Sequence, residues 1–374
     1  MMGNLKSDLI TVLDLFAGAG GLSRGMKDAS PRFRTALAVE LDPDAAATYR
    51  ENFGDVVYEG PIQDWLSEGN VPQVDVIVGG PPCQGFSTLG KQDVEDERNS
   101  LWTHYAHTIV KARPKYFVVE NVATFLKSAQ FSAFVAQTVP GGPLEDYAIE
   151  ARVLNASHFG SPQARKRAVL IGHLKSLPRP RFPNPTSMEA QPTVREAFRG
   201  VRRRVTNTKL PARSREVGGR VLAGPFSTSE LHVGRDYEPL SLARFAVIPT
   251  GGNRFDLPEH LKAPCWVRHT TGSGDVLGRL HWEKPSVTVR TEFFKPEKGR
   301  YLHPEEDRAI THFEAARLQG FPDDYKWFGS KTSIARQIGN AVPIPLGRAI
   351  GRSLIEALDQ TQDWSAAALD GSSL

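Results

Sequence analysis

Cysteine is scarce in this chain: Cys83 and Cys265 are the only two in 374 residues, and they lie far apart. Two thiols cannot make a disulfide framework, so a reducing, cytoplasmic setting is expected, with stability drawn from a packed core. Long apolar runs are missing too. The opening "MMGNLKSDLITVLDLF" is broken by Asp8 and Asp14, unlike a signal peptide, and no stretch is long enough to span a membrane. Internal repeats and low-complexity tracts are also absent, which sets aside solenoid and fibrous architectures. No metal site is expected.

What is present suits a globular protein. A hydrophobic content of 40% over 374 residues can build one large or two modest domains. The net charge is only +4, but it is unevenly spread. Between Arg195 and Arg220 stand nine Lys or Arg against Glu196 and Glu216, a local +7 that leaves the remainder of the chain at −3. A solvated loop accounts for such a run, and so does a polyanionic partner.

The first 172 residues alternate short β-branched runs with helix-like segments, the pattern of a doubly wound α/β sheet. "LITVLDLF", "RTALAVEL", "VDVIVGG", "KYFVVEN" and "RAVLIG" read as strands. "DPDAAATYRENF", with its Asp cap, and "NSLWTHYAHTIVKAR" read as helices, giving βα units in series. After Gly172 the proline-rich "LKSLPRPRFPNPTS" leaves that domain. Short irregular runs from about 200 to 300 predict a second, smaller domain of strands and loops. Helices return in "THFEAARLQGF" and "PIPLGRAIGRSLIEALD".

Four stretches carry chemistry. "DLFAGAGGLSRG" lies where a strand hands over to a helix, and its glycines let a ligand approach the backbone at the helix N-terminus. It departs from the dinucleotide fingerprint, because position 23 is Ser and the extra glycine is Gly21. Glu40 ends the next strand, where an acid takes ribose hydroxyls. In "GGPPCQGFST", Pro81 and Pro82 stiffen the backbone before Cys83 and Gly85 frees it afterwards, at the strand end where open α/β sheets bind ligands. "VVENV" places Glu120 at the neighbouring strand end. A carboxyl partly withdrawn from water donates a proton to a ring nitrogen, so Cys83 and Glu120 suit a nucleophile and acid pair. "SPQARKR" adds Arg165 and Arg167, whose spacing by two predicts that both reach one face of a strand.

Taken together, "DLFAGAGGLSRG", "GGPPCQGFS", "VVENV", "SPQARKR", "EAARLQGFPDDY" and "QIGNAVPIPLGRAIG" resemble, in order, the motifs of the cytosine-C5 DNA methyltransferases of bacterial restriction–modification systems. The resemblance covers nearly the whole chain except about 200–280. It implies a Rossmann-like methyltransferase sheet with a smaller target recognition domain: 1–198 catalytic, 199–300 recognition, 301–374 a return segment completing the catalytic domain. S-adenosyl-L-methionine would lie against Phe16, Gly18, Gly20, Gly21 and Leu22, with Glu40 on its ribose, Ile62 near the adenine, Pro82 beside the methyl donor, and Asn340 and Ala341 closing the site. Where the family commonly has Gly-Asp-Ile, this chain has Gly60-Pro61-Ile62, so Asp64 or Asp75 would have to supply the missing acid.

The resemblance also implies the reaction. Cytosine C5 is too weak a nucleophile to take a methyl group unaided, so similar enzymes add a thiolate to C6 first. Cys83 would be that thiolate, Glu120 the acid at N3 and the exocyclic amine, with Arg165 or Arg167 near O2. The base must be flipped out of double-stranded DNA to be reached. Gln84, Ser87 and Arg98, the latter two in the loop 87–100, and Arg203, in the basic run, would touch DNA. The enzyme is expected to be monomeric, with a cognate restriction endonuclease as a further partner. Rival readings are a tRNA cytosine methyltransferase with the same motifs, a catalytically silent DNA-binding regulator of this fold, and a nicotinamide dehydrogenase, which Ser23 disfavours.

Overall fold

The computed structural model describes residues 9–82, 101–186, 188–268 and 271–369, with side chains up to Thr361. Two compact units emerge. One comprises the chain to Asn155, Lys166–Pro185 and the segment from Val342 onward; the other comprises Ala156–Arg165 and Thr186–Ala341. The resemblance puts the boundaries at 198/199 and 300/301. No helix among the described residues is long and apolar enough to cross a membrane.

The first unit is built on a seven-stranded sheet of order β3-β2-β1-β4-β5-β7-β6. Its strands are β1 (Ile10–Leu15), β2 (Phe33–Glu40), β3 (Val57–Glu59), β4 (Val76–Gly79), β5 (Tyr116–Val122), β6 (Tyr147–Asn155) and β7 (Lys166–Leu174). The helices between them are α1 (Gly21–Ala29), α2 (Pro43–Phe53), α3 (Ile62–Ser67), α4 (Leu101–Ala112) and α5 (Ala129–Val135). β1 to β5 run parallel, and the central β1, β4 and β5 are buried on both faces, as a helix-covered parallel sheet requires. Leu13, Ile77, Tyr105, Phe117, Val119 and Phe134 form the centre of that core. The strand order reverses between β1 and β4, and ligands bind such a sheet at the carboxyl ends of the strands flanking the reversal.

β7 departs from the expected series of βα units. It runs antiparallel to both β5 and β6, because only Ala156–Arg165 joins β6 to β7, too short for the crossover helix a parallel pair needs.

The long helix α11 (Ile344–Leu369) returns the chain end to α1. Glycines permit the close approach: a Cβ on Gly25 would lie 2.7 Å from the backbone of Gly347 and Arg348, and one on Gly351 would lie 2.7 Å from the Ala29 methyl.

The second unit holds α6 (Val194–Ala197), the hairpin β8 (Ser214–Val217) and β9 (Arg220–Ala223), β10 (Phe226–Ser227), α7 (Pro239–Val247), α8 (Pro264–Arg268), α9 (His312–Leu318), β11 (Lys326–Trp327) and α10 (Lys331–Asn340). β10 pairs with β11, and Phe245, Ile248, Leu257, Leu277 and Leu302 form a small core of their own. Most of the unit is turns and short helices, tied by arginines. Arg279 is buried and donates to the carbonyls of Phe245, Ile248, His303 and Glu306.

Candidate active site

The loop after β1 turns three times through left-handed backbone. Phe16 has φ 57°, Gly18 φ 55° and Gly20 φ 81°. Phe16 holds this conformation against the steric preference of a residue with a Cβ, a strain that concentrates at ligand-contacting turns. At Gly20 a Cβ would collide with the Phe53 ring at 2.4 Å, and at Gly18 the same space is open. Gly20 caps α1 without a side-chain hydrogen bond, so the first N–H groups of a helix that begins at Gly21 and Leu22 carry no side-chain cap.

Two carboxylates brace this loop. Glu40 accepts from the Gly18 N–H at 2.7 Å with one oxygen and from the Asp42 N–H at 2.8 Å with the other. Burial pushes its carboxyl up, against the pull of those N–H groups. Beneath the loop, Ser23 donates to the buried Asp14 at 2.6 Å and lies 2.7 Å from the Tyr49 hydroxyl, itself 3.2 Å from Thr35. Burial lifts Asp14 to about 7 even with Ser23 bonded to it. The serine that broke the dinucleotide fingerprint is thus an internal ligand of Asp14. That departure was the sequence signal for a network in which the sequence reading gave Asp14 and Tyr49 no role.

Around β3 the expected residues separate. Ile62 is buried in the core beside Trp65, so only its backbone could meet a ligand. Asp64 is exposed in the first turn of α3. Asp75 accepts from the N–H and hydroxyl of Thr11 and pairs with Lys115 at 2.9 Å, at the start of β1 and β4, the end of the strands opposite the glycine loop. It cannot replace the acid missing at Pro61.

At the end of β4 the chain passes close to its neighbours. A Cβ on Gly79 would lie 2.4 Å from the Leu15 carbonyl, and one on Gly80 would lie 3.1 Å from Glu120 Oε2. Asn121 Nδ2 donates to the Pro81 carbonyl at 2.8 Å, anchoring the chain two residues before Cys83. Pro82 is exposed. Cys83, Gln84, Ser87 and Arg98 lie outside the described residues.

The buried Glu120 meets Arg167 across the β5–β7 ladder. Val122 pairs with Arg167 and Glu120 with Val169, so Arg167 reaches diagonally along one face to place its Nε 2.8 Å from Glu120 Oε1. The contact is an ion pair, and Oε1 has no geometrically satisfied hydrogen bond among the described residues. The guanidinium therefore offsets the charge of the carboxyl.

Arg165 does not share that face. It belongs to the second unit, where it is buried and donates to the carbonyls of Val289 and Gly339, each at 2.9 Å. Gln163 works beside it, accepting from the Val289 N–H at 2.8 Å and donating to Gln319 at 2.8 Å; Gln319 donates in turn to the Ile338 and Ala341 carbonyls. These side chains fix the backbone around Asn340, which is exposed, and Ala341, which is buried.

In the basic run, Arg203 pairs with Glu305, Arg213 with Glu230, and Arg195 with Glu283 at 2.5 Å. These are exposed pairs worth little each. Arg202 and Arg204 are exposed on either side of Arg203. No group of three His, Cys, Asp or Glu among the described residues could hold a metal ion.

Comparison with known proteins gives this geometry a context. The family model for C-5 cytosine-specific DNA methylase matches residues 10–356. The Type II methyltransferase M1.HphI of Haemophilus parahaemolyticus is 35% identical over 93% of this chain and 87% of its own. M.XorII of Xanthomonas oryzae, also a Type II methyltransferase, is 32% identical over 92% and 84%. Among solved structures, one described as a DNA modification methyltransferase encoded within an E. coli prophage superposes with a TM-score of 0.70 at 26% identity, over 94% of this chain and 99% of that one. Dnmt2 of S. pombe, at 17% identity and a TM-score of 0.56 over 94% and 99%, shares the fold.

Proposed function

The chain belongs to the C-5 cytosine-specific DNA methylase family, and from that premise we propose that it transfers a methyl group from S-adenosylmethionine to C5 of a cytosine flipped out of a specific duplex sequence. The observation that carries this reading is the Glu120–Arg167 pair on β5 and β7, set beside Gly80 and an anchored Pro81 at the end of β4, one of the strands flanking the reversal of sheet order.

The β1–α1 loop fits the methyl donor. Left-handed glycines with open space at Gly18, a helix start without a side-chain cap, and a Glu40 carboxylate with lone pairs to spare match a ligand with ribose hydroxyls and a charged amino-acid end. Phe16, Gly18, Gly20, Gly21, Leu22, Glu40, the backbone of Ile62, Pro82, Asn340 and Ala341 would hold it, with Asp64, exposed in the first turn of α3, as the acid in place of the one missing at Pro61. When bound, it supplies an electrophilic methyl group.

The protein's own groups prepare the acceptor. Cys83, as thiolate, adds to C6, and the electron pair displaced from the C5–C6 bond makes C5 nucleophilic. Glu120 donates a proton at N3 and accepts from the exocyclic amine, so negative charge does not build up on the ring. Arg167 holds that carboxyl in place and in charge balance. Arg165 is a positioning residue for the Gly339–Ala341 backbone. Loss of the C5 proton and elimination of Cys83 then release 5-methylcytosine.

Residues 1–198 and 301–374 supply this chemistry, and 199–300 the choice of target. Gln84, Ser87, Arg98 and Arg203 contact DNA. The protein acts as a monomer, alongside a restriction endonuclease of the same specificity. The test is methyl transfer from labelled S-adenosylmethionine to duplex DNA and, separately, to tRNA, with nucleosides resolved by mass spectrometry. 5-methyl-2′-deoxycytidine is expected. Label only in tRNA, or on a base nitrogen, would overturn the reading.

A further inference from the structure

The hairpin of β8 and β9 has a construction that folding alone does not explain. Its turn is Gly218–Gly219, with φ of 59° and 75°, the left-handed pair that a two-residue hairpin turn demands. The register pairs Ser214 with Ala223, Arg215 with Leu222, Glu216 with Val221 and Val217 with Arg220. Alternation then puts Arg215, Val217, Arg220 and Leu222 on one face, and Ser214, Glu216, Val221 and Ala223 on the other. The Arg215 guanidinium lies 5.0 Å over the Phe328 ring, which turns the first face toward the unit's body. The second face looks to solvent. Val221 there is 74% exposed, the most exposed large apolar side chain among the described residues.

A lone two-stranded ribbon is marginal in water, yet this one is firmly rooted. Gly224 N–H donates to the Arg213 carbonyl at 3.1 Å, Gly329 N–H donates to the Ala223 carbonyl at 2.8 Å, and Arg213 pairs with Glu230. Root and tip thus differ: a fixed base carries an outward ribbon. A two-stranded ribbon is one of the two elements that fit the DNA major groove. The surrounding stretch, +7 over Arg195–Arg220, suits a polyanion. Glu216 runs against that charge. A carboxylate is repelled by phosphates, so on a ribbon that meets DNA it is suited to a base amine and not to the backbone.

We propose that this ribbon enters the major groove of the target and that Glu216 and Val221, directly opposite each other, read adjacent bases. Glu216 accepts from the exocyclic amine of a cytosine or adenine, and Val221 packs against a thymine methyl. This rests on the reading that residues 199–300 meet the DNA, and it names the side chains that read it.

The test uses the full chain with Glu216→Ala, Val221→Ala and both, on duplex DNA carrying random sequence, with methylated sites read by bisulfite sequencing. Thermal melting checks that each variant is folded. Loss of a base contact, on the scale of a mismatched base pair, should relax preference at one or two positions of the site by roughly 5- to 150-fold, with the other positions retained. An unchanged site in the double variant, or a uniform fall on every sequence, overturns the proposal. Exchanging the whole of 199–300 for a relative's segment separates the two levels. If that exchange moves the site while the double variant does not, the ribbon is wrong and the segment stands; if neither moves it, both fail.

Discussion

Glu120 is buried, yet its Oε1 has no hydrogen bond among the described residues and lies 2.8 Å from a guanidinium. The proposed role of Glu120 at the cytosine ring rests on that geometry. Glu120→Gln keeps the shape and removes the acid, so methylation should slow by about two to four decades while DNA binding changes little; single-turnover kinetics read this directly. Arg167→Ala leaves the carboxyl without its counter-charge in a buried place, and a loss of stability on the order of 3 kcal/mol is expected by denaturant unfolding. Asp14 makes a separate prediction. Its carboxyl is near 7 in the folded chain against about 4 unfolded, so the folded state holds the proton more tightly. The stability from that proton is complete below about pH 4 and is lost as pH rises through 7, amounting to something on the order of 4 kcal/mol. The buried His303 and His312, both held down near 4, act in the opposite direction below pH 6.5. The difference between the wild-type chain and Asp14→Asn therefore isolates the effect: thermal melts from pH 5 to 8 should show the wild type losing stability relative to the variant.

At the scale of elements, the strands and helices legible in the sequence were those whose pattern contrasts with their surroundings. β1, β2, β4, β5 and β7 are apolar runs bounded by turns, and α2 has its Asp42 cap, which accepts from the Asp44 and Ala45 N–H groups. β6 escaped notice because "YAIEARVLN" lies at the sheet edge with Glu150 and Arg152 among half-exposed neighbours, giving neither a continuous apolar run nor clean alternation. Missing β6 hid the reversed direction of β7, and with it the antiparallel register that carries Arg167 to Glu120. The spacing of Arg165 and Arg167 predicts one shared face, but Arg165 precedes β7 and turns to the Val289 and Gly339 carbonyls. Helix packing gives an element-scale prediction. Gly25→Ala would drive a methyl into the backbone of α11 at 2.7 Å, costing about 1–3 kcal/mol by thermal unfolding.

For the molecule as a whole, charge and chemistry are unevenly shared along the chain. The motif residues are concentrated before 172 and after 310, and the basic run lies between. Phosphate contacts there should appear as salt dependence: Arg202→Ala or Arg204→Ala should each lower the slope of log affinity against log salt by about one. Arg203→Ala should lower it less, because Glu305 competes for that guanidinium. None of the three should alter the methylated sequence. The most direct test of the proposed chemistry uses duplex DNA with 5-fluorocytosine at the target position, where fluorine blocks the final loss from C5 and leaves the enzyme attached. The wild-type chain should form a covalent complex, seen by denaturing electrophoresis, only when S-adenosylmethionine is present, and Cys83→Ser should form none. A complex that survives Cys83→Ser, or an enzyme that methylates normal DNA yet is never trapped, would contradict a thiolate mechanism at Cys83.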